Sequence, residues 1–78
     1  MILLHMNEKD YNKEAKIFVK KILIENDITN VKLTKLLNKA GFNYTEASVT
    51  QKINRGRFDF AFLLQIADVL NIKFSNVN

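Results

Sequence analysis

The sequence contains no cysteine, no proline and no tryptophan, and it has two glycines and a single histidine, His5. Without cysteine there is no disulfide framework, no cysteine-ligated zinc and no thiol nucleophile. One histidine near the N-terminus supplies neither a histidine-based triad nor a metal cluster, so no metal or cofactor is expected and His5 reads as an ordinary residue. No apolar run approaches the ~18 residues of a membrane span. Met1, Ile2, Leu3 and Leu4 lack the basic region and the full apolar stretch of a signal peptide. The expectation is a cytoplasmic protein with no membrane partner. The scarcity of backbone breakers, with only Gly41 and Gly56, points to helices joined by short turns.

What is present is 78 residues of ordinary globular usage, 47% apolar and 26% charged. This composition excludes disorder and collagen-like repeats. The length fits one domain, residues 1–78, of a size that hides roughly 60–65% of its unfolded surface. The net charge is +4, and its distribution is uneven. Between residues 29 and 58, Lys32, Lys35, Lys39, Lys52, Arg55 and Arg57 stand against Glu46 alone. Outside that stretch six lysines face seven acids, so the whole positive excess is central. A local basic patch is the electrostatic footprint of a phosphate-binding surface, although lysines also simply solvate helix faces.

Apolar spacing predicts four helices. Asn7 can cap the first, with Asp10 three positions later, and Tyr11, Ala15, Phe18, Val19, Ile22 and Leu23 form its apolar stripe. It fades at Asn26 and Asp27. Thr29 or Asn30 caps the second, which carries Leu33, Leu36, Leu37 and Ala40 inward and ends at Gly41. Lys32, Lys35 and Lys39 share its opposite face. Phe42, Asn43 and Tyr44 form a connecting loop, with Asn43 and Tyr44 better suited to buttressing the motif than to touching the sugar-phosphate chain. Thr45 caps the third helix, Glu46 suits its dipole, Val49 and Ile53 anchor it inward, and Gly56 ends it. Asp59 caps the fourth, which runs to about Asn71 with Phe62, Leu63, Ile66, Ala67 and Leu70 on its core face and Gln65 and Asp68 outward. Phe58 and Phe62 suit core filling across a helix start, whereas Phe60 is left for the surface. The fold class is therefore all-α, a compact bundle of four to five helices. Ile2 to Leu4 and Ile72, Phe74 and Val77 are candidates for short terminal strands or frayed ends.

The stretch LTKLLNKAGFNYTEASVTQKINRGRFDFAFLLQIADVLNI carries the functional signal. Leu33 and Leu37, Val49 and Ile53, Arg55-Gly56-Arg57, and then Leu63, Ile66, Ala67 and Leu70 resemble the helix-turn-helix core of the lambda-repressor-like (Cro/phage-repressor type) domains. The resemblance covers about residues 29–72, with the motif itself at about 29–57. It is closer still to a group of small uncharacterised bacterial helix-turn-helix-like domains, which share an aromatic after the basic glycine turn and a Phe-Leu-Leu-Gln-like helix. Two features depart from the phage-repressor pattern: the turn from Gly41 to Thr45 is several residues longer, and Thr34 stands where a small alanine usually lets the helices approach. The longer turn leaves open whether Val49 or Thr50 fills the buried mid-helix position.

The resemblance implies sequence-specific binding of double-stranded DNA by a small transcriptional regulator. The third helix enters the major groove, and Thr45, Ala47, Ser48, Gln51 and Lys52 face the bases. Gln51 is suited to adenine, and Lys52 to guanine or a phosphate. Arg55, Gly56 and Arg57, together with Thr29, Asn30, Lys32 and Lys35, are the expected phosphate contacts; Lys39 sits at the wrong end of its helix. One helix reads only a few base pairs, so a homodimer on half-sites ~34 Å apart is expected. The rival is a protein-interaction module on the same fold, docking through Phe60, Phe74 and Ile2 to Leu4. Structured RNA ranks lower, because no stacking aromatic accompanies the basic residues. Glu8, Asp10 and Glu14 share one helix end but no pocket, and no enzyme is expected.

Overall fold

A computed structural model of the chain describes residues 10–73. Among these residues there are four helices and no strand: α1 Tyr11–Glu25, α2 Asn30–Lys39, α3 Glu46–Arg55 and α4 Phe60–Val69. The expected terminal strands at 2–4 and at Phe74 and Val77, and the Asn7 cap, lie outside the described residues.

Each helix starts where a short polar side chain can accept an orphan backbone N–H. The carboxylate of Asp10 accepts from Lys13 at 3.0 Å, the hydroxyl of Thr29 from Lys32 at 3.1 Å, that of Thr45 from Ser48 at 3.0 Å, and the carboxylate of Asp59 from Phe62 at 2.9 Å. Asp10 thus caps α1 itself. Three helices end in the same double hydrogen bond, the Schellman arrangement. The N–H groups of Asp27, Gly41 and Asn71 donate to the carbonyls of Ile24, Asn38 and Asp68. Those of Ile28, Phe42 and Ile72 reach back to Leu23, Leu37 and Ala67. All three turning residues have positive φ, 57° at Asp27, 102° at Gly41 and 58° at Asn71. The fourth helix is therefore capped by Leu70, just short of Asn71.

The core is one cluster: Val19 and Leu23 from α1, Leu33 and Leu37 from α2, Val49 and Ile53 from α3, and Phe62 and Ile66 from α4. Helix α1 packs chiefly on α3, while α2 packs on both α3 and α4. Burying each of these side chains contributes about 1.5–3 kcal/mol. The α1 stripe is narrower than its apolar spacing predicts. Val19, Ile22 and Leu23 are buried, but Tyr11 is 67% and Phe18 47% exposed. At 3.6 residues per turn those two fall on one flank of the stripe, beside the buried strip that packs on α3.

The longer turn between α2 and α3 is a built structure. The Asn38 side chain closes a two-bond clamp on the backbone of Tyr44: its Oδ1 accepts from the Tyr44 N–H and its Nδ2 donates to the Tyr44 carbonyl, both at 2.8 Å. Tyr44 in turn reaches α4, its hydroxyl 2.6 Å from Gln65 Oε1 and its ring edge-on to Phe62 with centroids 5.4 Å apart. Gln65 is thereby half-buried, where helical spacing had it facing outward. The buttressing expected of Tyr44 is present. Val49 is fully buried and fills the mid-helix position, while Thr50 is half-buried and accepts a long bond, 3.4 Å, from Asn30 Nδ2. Thr34 is buried with its hydroxyl donating to the Asn30 carbonyl at 2.9 Å, so a threonine at this crossing leaves no unsatisfied polar group.

Candidate nucleic-acid interface

The site is built on α3. Val49 and Ile53, four residues apart, are both fully buried and fix the rotation of the helix about its own axis. Thr45, Ala47, Gln51, Asn54 and Arg55 are consequently exposed, with Ser48 and Lys52 half-buried on the flank toward α4. Ser48, Gln51, Lys52 and Arg55 line, together with Arg57 from the following turn, a shallow depression of about 270 Å³. Among the described residues, three cations and no carboxylate border it. Thr45 and Ala47 stand outside it, toward the start of the helix.

Lys52 makes a contact with the core. Its ammonium lies 5.6 Å from the centroid of the buried Phe62 ring, within cation–π range. Phe58 packs on the same ring with centroids 5.6 Å apart, as the Phe58–Phe62 spacing predicts. Phe62 therefore joins the core to the basic depression.

Gly56, expected as a phosphate contact, also has a packing role. It is buried, its N–H donates to the Ile53 carbonyl at 3.1 Å, and its φ is +64°. A Cβ built on it would overlap the Asn12 carbonyl of α1. Glycine is required here because α1 and the end of α3 touch through backbone. The same contact fixes the path of the chain into Arg57.

The other expected phosphate contacts lie on α2. The Thr29 hydroxyl is occupied in capping, and the Asn30 amide turns toward Thr50 and so brings the first turn of α2 against the middle of α3. Lys32 and Lys35 are exposed but do not line the depression. Asn38, Gln65 and the Asn12 backbone escape a reading of the sequence, because the first two act through a turn of irregular length and the third carries no side-chain signal. Asn54 was legible from spacing alone, seven residues after Ala47 on the same exposed face.

Among the described residues there is no group of acidic or histidine side chains able to hold a metal ion, and no helix is long and apolar enough to cross a membrane. No curated protein and no solved structure matches the chain. Residues 11–74, from the first turn of α1 to just past α4, match the domain of unknown function DUF6471, and the chain belongs to that family.

Proposed function

We propose that this protein binds double-stranded DNA through a helix-turn-helix formed by α2 and α3, as a small transcriptional regulator that acts without chemistry of its own. The observation that carries the reading is the gathering of Ser48, Gln51, Lys52, Arg55 and Arg57 around one depression, with no carboxylate among the described residues that line it, on the outer side of a helix whose inner side is fully buried. A recognition helix needs that combination: rigid seating in the core, polar side chains outward at its front, and cations beside them. Gln51, exposed at the crest, has the paired donor and acceptor that adenine presents in the major groove, and the exposed methyl of Ala47 suits a thymine methyl. The concentration of positive charge between residues 29 and 58 supports the same partner. Two copies on half-sites ~34 Å apart would supply the specificity one α3 lacks.

The test is fluorescence anisotropy on a random duplex and on one selected from a genomic pool, across a salt series. The reading predicts affinity that falls steeply with salt and a preference for the selected duplex on the order of 10³. Absence of binding to either duplex at low salt overturns it. Sedimentation with and without the selected duplex tests the dimer; a monomer in both removes it.

A second reading, a protein-interaction module, has one observation in its favour. Phe60 is 57% and Leu64 44% exposed, four residues apart on one side of α4. The two separate by substitution. Lys52→Ala with Arg55→Ala weakens DNA binding and spares a contact centred on Phe60, whereas Phe60→Ser does the reverse.

A further inference from the structure

We infer that the depression is the seat of a single backbone phosphate, held jointly by Lys52, Arg55 and Arg57, and that Lys52 belongs to this seat rather than to base reading. The inference rests on the duplex-DNA reading of α3 and assigns its parts.

Three facts converge on it. First, the cations come from two elements: Lys52 and Arg55 from the last turn of α3, Arg57 from the segment after Gly56. The negative end of the α3 dipole accounts for basic side chains in that last turn. It does not account for Arg57, which lies beyond the helix. Second, Lys52 is held on the flank facing α4 by its contact with the Phe62 ring, away from the crest where Gln51 stands. A cation fixed against that ring is poorly placed to follow a base edge and well placed as part of a fixed wall. Third, the Gly56–Asn12 approach fixes the chain leading to Arg57, so both sides of the depression are anchored to the core.

Three like charges around one recess, with no carboxylate among the described residues that line it, repel each other; an oxyanion placed between them lowers that cost. The carbonyl dipoles of the α3 C-terminus oppose an anion here, unlike the N–H groups of a helix N-terminus, so several side-chain cations are required. A phosphodiester offers two non-bridging oxygens. Arginine meets these with paired N–H donors and lysine with a point charge, while Ser48 adds a neutral donor at the rim. A recess of about 270 Å³, open to solvent, has room for such a group. Base reading is then left to Ala47 and Gln51, with Thr45 at the helix tip.

The measurement that separates one shared phosphate from several is the salt slope of duplex affinity. Each neutralised phosphate contributes about 0.9 to the slope of log affinity against log salt. Lys52→Ala, Arg55→Ala, Arg57→Ala and the triple variant are titrated against the selected and the random duplex. The single-phosphate seat predicts that the triple variant loses about 0.9 of slope in total, and that Lys52→Ala weakens both duplexes by the same factor. A loss near 2.7 in the triple variant, three times the single-contact value, overturns it. So does a Lys52→Ala protein whose preference among bases changes. A second arm needs no DNA: inorganic phosphate is titrated into the labelled wild-type protein and the amide resonances are followed. Shifts at Ser48, Gln51, Lys52, Arg55 and Arg57 that vanish in the triple variant support the seat. If they occur while no duplex binds, the oxyanion seat stands and the DNA reading falls; if duplexes bind and phosphate moves none of them, the seat falls alone.

Discussion

At the scale of single residues, the two glycines separate two costs that sequence alone cannot tell apart. Both have positive φ, but a Cβ at Gly41 meets open space while one at Gly56 meets the backbone of Asn12. Gly41→Ala therefore loses only the left-handed preference, about 1 kcal/mol. Gly56→Ala adds an overlap that only movement of α1 relieves, and about 2–4 kcal/mol is expected. Urea unfolding of the two variants side by side checks this, and equal losses would remove the close approach from the account. The reverse change is informative at Asp27, which adopts φ 57° without being glycine. Asp27→Gly is expected to stabilise the fold by up to about 1 kcal/mol, read as a rise in the urea midpoint at unchanged slope. Gln51→Ala is the residue-scale test of base reading. It should lower discrimination at one base pair by about 1–3 kcal/mol and leave the salt slope unaltered.

At the scale of elements, the pose of α3 depends on the turn that precedes it. Asn38 makes two 2.8 Å bonds to the Tyr44 backbone, and Tyr44 carries the connection on to Gln65 and Phe62. Asn38→Ala should cost about 1–2 kcal/mol, two ordinary hydrogen bonds, and Tyr44→Phe about 1 kcal/mol. If the turn positions α3 for DNA, Asn38→Ala also lowers the preference for the selected duplex more than it lowers affinity for the random one. Equal losses on both would make the clamp a matter of stability alone. The helices themselves were legible because their determinants are local. Thr29, Thr45 and Asp59 are caps readable from one residue and its spacing, and Val49 and Ile53 declare the inner side of α3 by a four-residue interval. The clamp was not legible, because a polar side chain that bonds backbone six residues away leaves no periodic trace. Nor was the exposure of Tyr11 and Phe18, which depends on how many neighbours α1 has rather than on its own spacing. Within the candidate site, the resemblance gave Ser48, Gln51 and Lys52 as base contacts and Arg55 and Arg57 as phosphate contacts, and the structure puts all five around one depression. The packing constraint on Gly56 was not legible, because it comes from Asn12, some forty residues earlier in the chain.

At the scale of the whole molecule, the core divides two surfaces. Val49, Ile53 and Phe62 tie the basic depression to the centre of the fold, whereas α1 and α4 carry exposed apolar side chains, Ile24 at 78% and Phe60 at 57% among them. Truncation of a core residue, such as Leu37→Ala, is expected to cost about 2–5 kcal/mol and to weaken every surface function together. Substitutions in the depression, by contrast, should leave the unfolding curve within about 0.5 kcal/mol of wild type and act on binding alone. The central claim is that the outer face of α3 meets duplex DNA, and mapping amide shifts in the labelled protein as the selected duplex is added tests it most directly. The account predicts shifts concentrated from Thr45 to Arg57 and in the first turn of α2, with Phe60 and Leu64 unmoved. Shifts centred on Phe60 and Leu64, or none with any duplex at low salt, would contradict it.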